Sequence, residues 1–200
     1  LKLSPVTEER RRELYRFNLQ LGGGLFLVKD INSGVETSNP LYLTHGSGGL
    51  YLSADDGVTG QELHFSLGDA FTTNLVKDIW PGTNNSSNPW HFTKFGSKLV
   101  FSADDGENGR ELWITDNTEA GTYMIKDINP GNNSSNPSGF YGGSMASSAN
   151  DEGRDNPDME VYNGEVYFIA DDGVHGKELW KTDGTEEGTV MVKDIAQGNN

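Results

Sequence analysis

Three stretches of this 200-residue chain place two adjacent carboxylates beside a glycine, with a third carboxylate opening the apolar run that follows. They are Asp55-Asp56-Gly57 with Glu62, Asp104-Asp105-Gly106 with Glu111, and Asp171-Asp172-Gly173 with Glu178. Hard oxygen donors grouped in this way could ligate Ca²⁺. The same residues also build a hairpin turn, in which aspartate oxygens accept nearby backbone amides and the glycine takes a positive φ. Their spacing departs from the EF-hand loop. A second group, Lys-Asp-Ile, occurs at residues 29–31, 77–79, 126–128 and 193–195. Alternation along a strand sends neighbouring side chains to opposite faces. These lysines are therefore expected to form a structural ladder of cross-strand or cross-repeat ion pairs rather than to act in catalysis. The four histidines, His45, His64, His91 and His175, show no ligand spacing. There is no cysteine, which excludes disulfides, thiolate zinc sites and a Cys nucleophile. No nucleophile elbow is present, and repetition of one carboxylate set in every copy argues for scaffold. No catalytic residue is predicted, and Ca²⁺ is the one cofactor the residues suggest.

Other residues bear on binding rather than reaction. Trp113 and Trp180 recur in register and read as core between repeats, whereas Trp80 and Trp90 fall in a loop region suited to stacking on a sugar. Asn84, Asn85, Asn132 and Asn133 each begin an Asn-x-Ser acceptor, so they are glycan sites if the chain passes through a glycosylating secretory route, and turn formers otherwise. The formal charge is −15. Residues 1–16 hold five basic against three acidic residues, and the remainder holds ten against 27. So acidic a surface argues against a nucleic-acid partner. No run of eighteen apolar residues exists to span a membrane, and no signal peptide is evident.

The elements that must carry these residues follow from their spacing. Lys-Asp-Ile recurs at intervals of 48, 49 and 67 residues, and Ala-Asp-Asp-Gly keeps the same beat at 54, 103 and 170. A period near 50 marks a repeat architecture. In the cleanest copy, apolar runs at 92–95, 99–103, 111–115 and 122–128 are separated by Gly-, Asn- and Asp-rich turns, which predicts four antiparallel strands. The predicted fold is all-β: repeated four-stranded antiparallel blades, as a β-propeller or an open propeller-like array. A mean hydropathy of −0.60 and 26 glycines suit short strands and tight turns. The array is expected over residues 25–200. It comprises a leftover strand at 25–31 and units at 32–79, 80–128 and 129–195, the last with an insertion near 142–158 that is poor in apolar residues. Asn136-Pro137 and Asn156-Pro157 compete as the match for Asn88-Pro89. The first unit is degenerate, with His64 in place of the tryptophan and Ser66–Thr72 in place of the turn sequence Thr182–Gly188.

Residues 1–24 read as a separate docking segment. Ser4 and Pro5 suit the start of a helix over 4–21, with glutamates early and arginines later. Leu14, Phe17 and Leu21 would share its apolar face. Arg10, Arg11, Arg12, Leu14 and Phe17 are the candidate partner-binding residues, facing an acidic protein or anionic lipid headgroups.

Glu178-Leu-Trp-Lys-Thr-Asp-Gly-Thr185 with Val192-Lys-Asp-Ile195 resembles the ELWxxDGT repeat of large β-propeller-like proteins. Glu111-Leu-Trp-Ile-Thr-Asp-Asn-Thr118 departs from that pattern only at Asn117, while the copy at Glu62-Leu63 has lost the tryptophan and the Asp-Gly-Thr. The resemblance covers about residues 25–200. It implies the propeller-like fold and an extracytoplasmic setting, secreted or at a surface, and it implies no enzymatic activity.

The sequence thus predicts a non-catalytic structural or binding module, a scaffold or interaction subunit whose partners are other protein subunits or the rest of a longer chain. Three whole units and a leftover strand fall short of the four or so blades that close a ring, so open ends are expected. Two alternatives differ in kind. One is a polysaccharide-acting propeller enzyme, for which the non-repeated Asp151, Glu152, Arg154, Asp155 and Asp158 are the only distinctive polar set. The other is a Ca²⁺-stabilised surface adhesion module.

Overall fold

The computed structural model describes residues 12–18, 24–33, 36–140 and 159–195. Every regular element among them is a β-strand. A two-stranded sheet pairs β1 (Leu14–Asn18) with β2 (Gly24–Lys29). Three four-stranded sheets follow. The first comprises β3 (Leu41–Gly46), β4 (Gly49–Asp55), β5 (Gln61–Ser66) and β6 (Asn74–Lys77). The second comprises β7 (Trp90–Phe95), β8 (Lys98–Asp104), β9 (Arg110–Thr115) and β10 (Tyr123–Lys126). The third comprises β11 (Glu160–Tyr162), β12 (Glu165–Asp171), β13 (Lys177–Thr182) and β14 (Val190–Lys193). Each is an antiparallel meander with its strands in chain order, the arrangement that the repeat predicts.

The two middle strands of the first and second full sheets are buried on both faces, which is why they read as continuous apolar runs, whereas β12 and β13 bury alternate residues. In β8, Leu99, Phe101 and Ala103 pack with Tyr51, Leu63, Phe65 and Val76 of the first sheet. Val100, between them, turns the other way and joins Leu112 and Ile114 against Val166, Phe168 and Trp180 of the third. The core is therefore a series of layers between successive sheets. A smaller layer of Leu14, Val28, Ile31, Leu52 and Ala54 joins the two-stranded sheet to the first full one. The first strands of successive sheets also lie against each other, β3 beside β7 and β7 beside β11.

The N-terminal reading requires correction. Residues 14–18 form a strand, not part of a helix, and residues 1–11 and 19–23 lie outside the described region. β1 pairs antiparallel with β2, from Leu14↔Lys29 to Asn18↔Gly24, with a register shift between Leu14 and Tyr15. Glu13-Leu14-Tyr15 stands 49 residues before Glu62-Leu63-His64 and is a further degenerate copy of Glu-Leu-Trp. Leu14 and Phe17 fit helical spacing, but pairing with β2 and burial of Leu14 beneath the first sheet override that local preference.

The insertion is also placed. Trp90↔Ser102 and Leu41↔Ser53 open their sheets and are each followed by a register shift. Ser138↔Ile169 is the corresponding bridge in the third copy. Asn136-Pro137, not Asn156-Pro157, is thus the match for Asn88-Pro89, and the extra residues enter at the bulge of the first strand. Residues 141–158, which include the predicted insertion and its charged set, lie outside the described region.

Candidate functional site

Glutamates 62 and 111 begin the third strand of their sheets, and both are fully buried. Glu62 Oε2 accepts the Ile79 amide at 3.1 Å and the Ser87 hydroxyl at 2.5 Å, and its Oε1 accepts the Ser87 amide at 2.8 Å. Glu111 repeats this with Ile128 at 3.1 Å and with Ser135, whose amide lies at 2.9 Å and hydroxyl at 2.5 Å. Glu13 does the same with Ile31 at 3.0 Å and Ser38, amide at 2.8 Å and hydroxyl at 2.6 Å. Glu178 accepts the Ile195 amide at 3.0 Å. The carboxylate thus ties the third strand of a sheet to the Lys-Asp-Ile segment behind its fourth strand and to the loop leading into the next repeat. Burial pushes the Glu62 and Glu111 carboxyls up to about 7, against the serine and isoleucine donors that favour the charged form. This latch was not anticipated. Its signal was the glutamate on the repeat beat, which also picks out Glu13.

The paired aspartates engage their own turns. Asp55 accepts the Gly57 amide at 2.7 Å, and Asp56 accepts those of Val58 at 2.8 Å and Thr59 at 2.7 Å. Asp104 and Asp105 repeat the pattern with Gly106, Glu107 and Asn108. Asp171 and Asp172 repeat it with Gly173, Val174 and His175. Partial burial pulls the Asp56, Asp105 and Asp172 carboxyls upward, but the turn amides outweigh it and hold them below the ordinary value. The two aspartates and the glutamate of a copy are committed to different donors, and the described residues include no group of three or more acidic or histidine side chains arranged to hold a metal.

The Lys-Asp-Ile ladder differs from the ion pairs expected. Lys29 Nζ donates to the Thr73 carbonyl at 2.6 Å, Lys77 to Thr122 at 2.9 Å and Lys126 to Thr189 at 2.9 Å. Each lysine crosses from one sheet to the backbone entering the fourth strand of the next. One carboxylate oxygen of Asp30, Asp78, Asp127 and Asp194 is buried without a hydrogen-bond partner in each copy. The expected cross-strand or cross-repeat ion pair is replaced by a bond to the carbonyl just before a fourth strand, which is the group within reach.

The tryptophans divide by role. Trp113 and Trp180 are core between sheets, as their register implies. Trp80 also joins repeats. It lies so close to Gly106 that a Cβ there would come within 2.3 Å of its indole ring. Trp90 is half-buried, with the Arg110 guanidinium 5.1 Å from its ring centroid and the Tyr42 ring at 6.5 Å. Arg110 donates to the carbonyls of Ser87, Asn88 and Ser102, so it secures the loop that leads into β7, and Trp90 begins that strand rather than lying in the loop.

Among the expected docking residues, Arg12 is exposed, with its amide bonded to Thr37 Oγ1 at 2.9 Å, while Leu14 is buried at 5% exposure and cannot present a docking face. Arg10 and Arg11 lie outside the described residues, and Phe17 is described only as a strand residue. Asn84, Asn132 and Asn133 are exposed, whereas Asn85 donates from Nδ2 to the Pro81 carbonyl at 2.8 Å. The serines of these acceptor sequences serve the fold. Ser86 and Ser134 hydroxyls accept the Gln61 and Arg110 amides, and Ser87 and Ser135 complete the glutamate latches.

A groove of about 520 Å³ lies beside β6. Leu67, Phe71, Leu75 and Val76 line it on the first sheet, and Asn117 and Glu119 line it from the turn of the second. Among the described residues no helix is long and apolar enough to cross a membrane. No family model, curated protein or solved structure matches this chain.

Proposed function

We propose that the chain is a non-catalytic binding and scaffold module, built as a propeller-like array of four-stranded blades and acting through partners in an extracytoplasmic setting. The observation that carries this reading is the employment of its recurrent polar residues. Glutamates latch strands to loops, lysines cross between sheets and aspartates cap their own turns, so the groups with the chemistry for catalysis are committed to architecture. Face-to-face layering of successive meanders, with first strands adjoining, supports the propeller arrangement. The likeness of the Glu-Leu-Trp and Asp-Gly-Thr segments to the ELWxxDGT repeat supports both the fold and the setting. The test is to incubate the full chain with a panel of neutral and acidic polysaccharides and to follow reducing ends and unsaturated products. No release is expected. Sustained turnover that scales with protein concentration would overturn the reading.

A further inference from the structure

Each layer between full sheets is built from two unlike faces. The face that a sheet turns toward its successor carries an apolar set on and just after its third and fourth strands. The set is Leu63, Val76 and Ile79 in the first sheet, and Leu112, Ile125 and Ile128 in the second. The face turned toward the predecessor carries an aromatic ring opposite an apolar residue of the fourth strand, Trp113 opposite Met124 and Trp180 opposite Met191. Where two sheets meet, these positions are closed to water. Trp113 and Trp180 are each 6% exposed, and Ile125 and Ile128 each 4%.

The outermost described sheets expose one face of each kind. On the two-stranded sheet, Tyr15 stands opposite Leu27 as the tryptophans stand opposite their methionines, yet these side chains are 48% and 50% exposed. On the third full sheet, Leu179, Val192 and Ile195 occupy the places of Leu112, Ile125 and Ile128. Val192 is 44% exposed and Ile195 68%. Lys193 is also exposed, whereas Lys29, Lys77 and Lys126 are half-buried as they cross to the next sheet. A polar departure on this face is Lys181 in the place of Ile114, and Glu165 pairs with it at 2.8 Å. Two strands suffice on one side of such a layer. Leu52 and Ala54 of the first full sheet are fully buried in the layer they share with Leu14, Val28 and Ile31.

We propose that the third full sheet of one copy receives the two-stranded sheet of a second copy, so that the chain joins head to tail. Tyr15 and Leu27 of the second copy seat against Leu179, Val192 and Ile195 of the first. The joint continues a layer that the chain already forms twice between its own sheets, and bare ends of a repeat array are apolar and in need of such cover. Pairing of like faces has no precedent within the chain, whereas head-to-tail pairing brings together the two unlike faces that meet in each internal layer. The proposal rests on the binding-module reading and names another copy of the chain as a partner.

The test is sedimentation velocity of the full chain from about 5 to about 200 μM. The parent should pass from monomer to dimer or larger species as concentration rises, because a head-to-tail joint closes into a ring or extends. Its association should persist or strengthen in about 0.5 M salt, which screens the net charge of −15 by which copies repel. Tyr15→Lys and Val192→Lys each block one face. Both residues are about half exposed, so the melting temperatures should stay within about 2 °C of the parent. Each variant alone should stay monomeric to at least about tenfold higher concentration than the parent. An equimolar mixture, which keeps one intact face of each kind, should form a one-to-one dimer and nothing larger. Leu27→Lys and Ile195→Lys address the same two faces and replace either variant that melts early. A parent that is monomeric at every concentration would overturn the proposal, as would loss of its association in salt. Self-association of a blocked variant, which means that like faces pair, or a mixture that stays monomeric would overturn it too. Failure here leaves the array free to bind other proteins, whereas turnover of a polysaccharide would remove the binding-module reading itself.

Discussion

Glu13, Glu62 and Glu111 each accept an isoleucine amide and both donors of a serine. Removing the side chain in Glu111→Ala strands the Ile128 amide and both Ser135 donors in the interior. That should cost about 3–5 kcal/mol, read as a lower urea midpoint. Protonation gives a second test. The Glu62 and Glu111 carboxyls are raised from 4.5 to about 7 in the fold, with burial the largest cause. A carboxyl raised in the folded state binds its proton more tightly there than in the unfolded chain. Its contribution is fully present below pH 4.5 and is lost as pH rises through 7, to the extent of roughly 3 kcal/mol per residue. The urea midpoint should therefore fall between pH 4.5 and 8, and Glu62→Gln should flatten that slope. His64 acts in the opposite direction. Burial holds its imidazole below the ordinary value, so its contribution declines as pH falls below the unfolded value of 6.5. The paired aspartates predict a further outcome. Because they are bonded to their own turn amides, the melting temperature should not change when EDTA or millimolar Ca²⁺ is added. A Ca²⁺-dependent rise would restore the metal reading of Asp55-Asp56, Asp104-Asp105 and Asp171-Asp172.

At the scale of elements, the sequence displayed strands better than their links. Apolar runs at 92–95, 99–103 and 111–115 became β7, β8 and β9 nearly residue for residue, because strands buried on both faces cannot hide their composition. The N-terminal strand was missed because five residues can fit helical spacing as well as strand spacing, and only pairing with β2 separates them. A lysine ladder was legible in the repeat, but its partners were not, because each bond joins residues 44 to 63 positions apart through a lysine and a backbone carbonyl rather than through an ion pair. One link can be tested directly. Gly106→Ala would drive a methyl into the Trp80 ring at a glycine with φ of 81°, at a cost of roughly 2 kcal/mol or more. Trp80→Ala should restore part of that loss in the double variant. Additive losses would show that the two residues act apart.

Across the molecule, each layer of core belongs to one pair of neighbouring sheets. Stability should therefore be divided along the chain, as in other repeat arrays. Trp180→Ala, in the layer between the second and third sheets, should speed amide hydrogen exchange in β11–β14 much more than in β3–β6. Equal acceleration throughout would indicate a single cooperative core. The beat of Lys-Asp-Ile and Ala-Asp-Asp-Gly determined the three four-stranded antiparallel sheets and the tryptophans between them, since these follow from local composition repeated at a fixed interval. Tertiary structure alone decided which carboxylates are buried and which cap turns, because identical side chains differ only in the donors that distant segments bring to them. It also decided that the divergent turn at 66–73 keeps its siblings' geometry. There Asp69 supplies the amide cap that Asp116 and Asp183 supply in the sister turns, whose Gly121 and Gly188 make room for those carboxylates where the first turn has Thr72.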